Sequence, residues 1–242
     1  MERTMSNRHS SSSGGPDRRP ARRHDPPGLF ILHEDPYLLV VDKAPGLLTI
    51  ATEKDRERTA YRLLTDYVRK GARRSSQRVF IVHRLDRDTS GVLVFAKTEE
   101  VKRHLQDNWK DARKSYLAIV HGVPPKQEGR IVSYLTENAA HRVYSTRDPA
   151  KGQLAETAWR VLKTTRAFSL LEIDLLTGRK NQIRVHLAES GFPIVGDRKY
   201  GRVDDPARLL ALHARTLSFT HPVTGSCLVF EAAVPRHFAR LL

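Results

Sequence analysis

The 242-residue chain holds a single cysteine, Cys227. An internal disulfide is excluded, and a zinc site built on cysteines lacks its ligands. No apolar run approaches the roughly 20 residues that a membrane-spanning helix needs. The opening stretch, MERTMSNRHSSSSGGPDRRPARRHDPP, has no apolar core and is not a secretory signal. It is rich in Arg and Ser, as transit peptides are, but lacks their amphipathic apolar face. GxxxxGK[ST] and GxGxxG are both missing, which removes support for nucleotide-triphosphate and dinucleotide chemistry. HExxH and GxSxG are missing too, and the 11 histidines are scattered without metal-ligand spacing. The expectations are a cytoplasmic monomer with no membrane partner, no metal and no cofactor. Carboxylates and arginines remain to carry any chemistry.

Positive charge is what the chain has in excess. The net charge is +15, with a pI near 10.3. Residues 1–28 carry six arginines against Glu2, Asp17 and Asp25, so the remaining body still holds about +12. A folded body this basic points to a polyanion such as a nucleic acid, because phosphate neutralisation is the sequence-independent part of nucleic-acid affinity. The same balance also fits a merely soluble basic protein.

Residues 1–28, rich in Ser, Gly, Pro and Arg, read as a disordered basic tail. Residues 29–242 read as one domain without internal repeats. YLLVVDKAPGLLTI is a strand running into a turn at Pro45-Gly46. TAYRLLTDYVRKG has helical apolar spacing closed by Gly71, and TEEVKRHLQDNWK repeats Val101, Leu105 and Trp109 at intervals of four. RVFIV, GVLVFAK, KSYLAIVHGV, GRIVSYLTE, HRVYSTRD, ETAWRVLKT and AFSLLEIDLLTG read as strands. KNQIRVHLAESG is a helix with Gly191 past its end. Two strands around PVTG and a short helix finish the chain. Runs of strands with a few interposed helices indicate α+β, a mixed and mainly antiparallel sheet with flanking helices.

Two polar stretches stand out. In HRLDRDTSG, residues 83–91, Asp86 lies between Arg84 and Arg87, in a loop bounded by apolar strands. Strands fix such a loop's ends. Guanidinium groups beside a carboxylate favour its ionised form, which suits a nucleophile or an electrostatic stabiliser. Asp88, Thr89 and Ser90 equally suit an ordinary capping loop. In TGRKNQIRVHLAESGFPIVGDRKYG, residues 177–201, Arg179, Lys180, Arg184 and His186 crowd the start of a helix, where backbone N–H groups favour anions. A solvated basic helix face reads the same way.

Together these stretches resemble the RluA-type RNA pseudouridine synthases. HRLDRDTSGVLVFAKT is similar to HRLDxxTSGxxxxAK, and KSYLAIVHG to KxYxAxVxG. The 177–201 stretch is similar to TGRxHQIRxHxxxxGxPIxGDxxYG, and LHARTLSFTHP to LHAxxLxFxHP. DKAPGLLT resembles a looser first motif. The chain departs at Asn181, where the family usually has histidine, and at KAPG, where it has KPxG.

The resemblance implies isomerisation of uridine to pseudouridine in RNA, ribosomal first and transfer second, with no cofactor. Asp86 matches the catalytic aspartate. Attack at C1′, attack at C6 and a glycal route all use its ionised carboxylate. Arg184 matches the arginine that pairs with it, through a bidentate contact. Tyr116 matches the tyrosine that stacks on the uracil and takes the C5 proton. Arg84 is expected to hold the vacancy of the flipped base or a phosphate, with Arg87, Arg179 and Lys180 as further RNA contacts. Two rival readings are a non-catalytic RNA-binding paralogue and a nucleoside glycosylase or hydrolase.

Overall fold

The structure is a computed structural model that describes residues 25–52, 58–70, 72 and 75–242. The expected tail lies outside the described residues as far as position 24, as does Gly71, the expected helix stop. The body begins with β1 (Leu29–Glu34), which pairs antiparallel with β2 (Leu38–Lys43). Asp35 closes the hairpin by accepting the Tyr37 and Leu38 N–H groups at 2.7 Å each. The Pro45-Gly46 turn follows, with Gly46 at φ +85. Thr59 then caps α1 (Ala60–Val68) by accepting the Arg62 N–H.

A two-residue β3 (Phe80–Ile81) precedes β4 (Ser90–Ala96), and Thr98 caps α2 (Glu99–Asp107). The RVFIV run is longer than β3, since only Phe80 and Ile81 pair with β4 and the chain leaves the ladder at Val82 to build the site loop. Then come β5 (Arg113–His121), β6 (Glu128–Glu137), β7 (Val143–Thr146), β8 (Gln153–Thr164) and β9 (Phe168–Leu175). The chain ends with α3 (Gln182–Glu189), β10 (Leu212–Thr220), β11 (Cys227–Glu231) and α4 (Arg236–Ala239).

Among the described residues, 11 strands make one sheet in the order β1-β2-β4-β10-β5-β9-β8-β6-β7, with β11 beside β10 and β3 beside β4. The β4–β10 contact is parallel and the other pairings are antiparallel. This is the mixed, mainly antiparallel α+β architecture that the sequence pattern indicates. β2 and β4 are apolar without alternation because both of their faces are covered. On one side Leu39, Val41, Leu93 and Phe95 pack with Ala60 and Leu64 of α1. On the other, Leu38, Val40, Val92 and Val94 pack with Val101 and Leu105 of α2. Each such fully buried side chain contributes about 1.5–3 kcal/mol.

α3 is not a solvated basic face. Gln182, Ile183, Val185, His186 and Leu187 are buried. The His186 ring sits between the Thr157 and Ser133 hydroxyls at 2.9 Å each, and the Gln182 amide donates to Thr157 and to the Glu156 carbonyl, also at 2.9 Å. These bonds lock α3 onto β8 and β6. Burial lowers the pKa of His186 and keeps its ring neutral.

The parallel contact depends on a glycine. Gly91 has φ +114, and a Cβ there would lie 2.1 Å from the Ala214 carbonyl oxygen. Gly46 also has positive φ but has nothing within 4 Å. Gly91→Ala is therefore expected to cost at least about 3 kcal/mol, from overpacking and strain together. Gly46→Ala should cost about 1–2 kcal/mol, from strain alone. Urea denaturation of both variants checks this ordering; equal costs would contradict it.

Candidate active site

The loop between β3 and β4 is tied down from three sides. Thr49 grips Leu85 twice, donating to its carbonyl at 2.8 Å and accepting its N–H at 3.2 Å. His83 accepts the Val94 N–H through Nε2 at 3.2 Å, and its ring lies 4.6 Å from that of Trp109. That bond needs an unprotonated Nε2, and burial pushes the pKa of His83 down to about 3, with the Lys114 charge adding to the effect. The third tie is Lys43, which is fully buried. Its ammonium donates to the carbonyls of Leu47 (2.8 Å), Ala44 (3.0 Å) and Arg87 (3.0 Å). Asp86 thus has a pinned residue on each side.

Arg184 reaches Asp86 from the first turn of α3. Its Nη1 donates to Asp86 Oδ2 at 3.1 Å. The bidentate grip goes elsewhere: Nε and Nη2 donate to the two oxygens of Asp197, both at 2.8 Å. The sequence reading placed that fork on Asp86, and the structure moves it to Asp197. Asp197 is 1% exposed, Arg184 11% and Asp86 22%, so the grip is buried while Asp86 stays reachable. Burial alone would raise the pKa of Asp197. The Arg184 bonds and charge, with the Tyr200 and Lys199 N–H groups, hold it below the usual range. Burial opposes the charge of Arg184, but the bonds to Asp197 and the charge of Asp86 raise its pKa further still. Such charge-assisted forks are the strong and geometrically specific ion pairs.

These groups line a cavity of about 370 Å³, within the usual range for small-molecule sites. Asp86, Tyr116, Arg184, Arg84 and Arg179 all border it, with Lys114, Trp109 and Asn181. Tyr116 rises from β5 and is buried. Burial first, and the Asp86 charge second, push its phenol pKa up, so it stands in the cavity as a neutral phenol.

Arg84 is exposed at the cavity and makes no ion pair among the described residues. Arg179 is exposed and donates from Nε to the Leu154 carbonyl at 3.0 Å. Arg87 and Lys180 do not join the cavity. Arg87 is exposed beside Asp88, 3.3 Å away, and Lys180 pairs with Glu137. The cation that touches Asp86 is therefore Arg184, rather than its neighbours in sequence, and Lys43 holds the loop from beneath. Asp197 and Lys43 sit in the GDRKYG and DKAPG stretches, but motif position alone does not say which charges meet. No cluster of metal-ligating side chains occurs among the described residues.

The sequence profile of RNA pseudouridylate synthases matches residues 37–189. The chain belongs to that family. The synthase is 37% identical over 222 residues to an uncharacterized RNA pseudouridine synthase of Synechocystis, covering 88% of this chain and 68% of that one. It is 39% identical over 229 residues to the ribosomal large subunit pseudouridine synthase D of Nitrosomonas europaea, covering 88% of this chain and 64% of that protein. Among solved structures, human RNA pseudouridylate synthase domain containing 4 superposes with a TM-score of 0.72 at 26% identity, over 86% of this chain and 90% of that one. The synthase is thus an isomerase acting on RNA.

Lys43 offers a test of how the loop is held. Its removal leaves three carbonyls without a donor, so Lys43→Met should cost about 3 kcal/mol or more at pH 7. Burial lowers the Lys43 pKa from 10.5 to about 7, against the charges of Asp88, Asp86 and Asp42. Between those pH values the unfolded chain binds the proton and the folded one has released it, so this residue's contribution to stability rises with pH. The deficit of Lys43→Met should accordingly grow from pH 7 to pH 10 in urea titrations. A deficit independent of pH would contradict the depressed pKa.

Proposed function

We propose that the synthase converts uridine to pseudouridine in structured RNA, ribosomal RNA first and transfer RNA second, with the Asp86 carboxylate acting on a uridine flipped into the cavity. The observation that carries this is the state of Asp86. Arg184 holds Oδ2, while Oδ1 has no hydrogen-bond partner among the described residues, and Asp86 is one of the residues that line the cavity. One oxygen is aimed and the other is available to a sugar or a base. Asp86 serves as nucleophile or electrostatic stabiliser, not as a proton donor.

The reaction breaks N1–C1′, joins C5 to C1′, and moves one proton from C5 to N1. It is redox-neutral and needs no second substrate. N1 cannot be replaced by C5 at C1′ while the base stays in its stack, so the nucleotide must leave it, as in other enzymes that act on a base. Tyr116 offers the flat, rigid wall on which a uracil stacks. Arg84 and Arg179, exposed at the cavity, take the flanking phosphates, and Arg87 and Lys180 add to the basic surface farther out. The ribosomal assignment draws on relatives named ribosomal large subunit pseudouridine synthase D, in Nitrosomonas europaea at 39% identity and Pseudomonas aeruginosa at 35%.

A non-catalytic paralogue would have no reason to keep Asp86 paired with Arg184. A glycosylase would use the same carboxylate but release free uracil. Asp86→Asn is expected to lower pseudouridine formation by about 10³-fold or more while RNA affinity changes by about threefold at most. Mass-spectrometric scoring of new pseudouridine, with filter binding in parallel, checks both. A near-normal rate would overturn the role of Asp86, and free uracil from the wild type would favour the glycosylase.

A further inference from the structure

The position where this chain departs from the family's usual histidine lies on the cavity wall, directly before α3. Asn181 has φ +54 and ψ +17, the left-handed region. Asparagine and histidine are among the few side chains that adopt it readily. The backbone therefore limits what the position accepts, and the side chain shows why a polar group stands there.

Arg184 Nη1 has two hydrogens. One goes to Asp86 Oδ2 at 3.1 Å and the other to Asn181 Oδ1 at 3.3 Å. The amide is oriented from behind, since Asn181 Nδ2 donates to the Tyr200 hydroxyl at 3.1 Å. That hydroxyl also accepts the Val143 N–H at 3.1 Å, and the Tyr200 ring lies 5.3 Å beneath the guanidinium carbon. Asp197 fixes the Nε–Nη2 edge of the guanidinium, while Asn181 fixes the opposite corner, the one that touches Asp86.

We propose that Asn181 is a positioning residue, which sets the tilt of Arg184 and thereby the aim of Asp86. It need not touch the substrate, because its oxygen and nitrogen are both engaged within the protein. The inference rests on the proposed role of Asp86, and its test has one arm that does not need turnover.

Asn181→Gly keeps the left-handed backbone and removes only the amide. Its kcat on an RNA that the wild type modifies should fall about tenfold, with KM within about twofold, since small misplacements of catalytic groups act on the rate. Its melting temperature should stay within a few degrees of the wild type. Asn181→His, which restores a polar group that tolerates the same backbone, should recover most of the rate. In a crystal structure of Asn181→Gly, both bonds from Arg184 to Asp197 should persist while the Nη1–Asp86 contact opens beyond hydrogen-bonding distance. An unchanged kcat, a loss confined to KM, or an Nη1–Asp86 contact still near 3.1 Å would overturn the proposal. An inactive wild type would count against the functional reading, and the crystallographic arm would still decide this one.

Discussion

One buried guanidinium holds the site together. Arg184 is clamped along one edge by Asp197 and offers its remaining corner to Asp86. The asymmetry matters chemically. A bidentate grip on Asp86 would have engaged both carboxylate oxygens, whereas here only Oδ2 is engaged by the guanidinium. A guanidinium without Asp197 would be a long side chain free to follow any nearby phosphate, and RNA supplies many. With the fork on Asp197, Arg184 behaves as part of the scaffold, and Asp86 receives a fixed cation at the cost of one oxygen only.

The fold exists around that clamp in a definite way. α3 carries Arg184 and is nailed to the sheet by Gln182 and His186, whose polar atoms meet β6 and β8 rather than solvent. The opposing loop carries Asp86 and is nailed down by Thr49, His83 and the buried Lys43. β5 sets Tyr116 between them. Three elements far apart in sequence, near residues 86, 116 and 184, converge because β4, β10, β5 and β9 are neighbours in one sheet. The close β4–β10 approach at Gly91 brings the start of β4, and with it the loop, to this place.

Much of the architecture was legible in the sequence. Continuous apolar runs marked β2 and β4, helical spacing marked α1 and α2, and Gly191 marked the end of α3. The motifs also pointed to Asp86, Tyr116 and Arg184. What the sequence could not show was which charges meet. Arg87 is next to Asp86 in the chain, but its side chain pairs with Asp88 at the surface. Asp197 lies 13 residues beyond Arg184 and takes both of its strongest bonds. Lys43 carries no local mark of burial in the DKAPGLLT stretch, yet it is wholly buried under the loop. Pairing across a sheet is a tertiary property, and local sequence carries only a weak trace of it. The solvated basic face, which the sequence left open as an alternative for this helix, fails for the same reason, since Gln182 and His186 face partners on other strands.

The most direct measurement is a crystal structure of the synthase with an RNA whose target uridine carries fluorine at C5, where the missing hydrogen blocks the last proton loss. The account predicts a target base lifted out of its stack against Tyr116, Asp86 within bonding reach of the nucleoside, and Arg184 still forked onto Asp197 and touching Asp86. A target base left in its stack, or an Arg184 that abandons Asp86 for a phosphate, would contradict it.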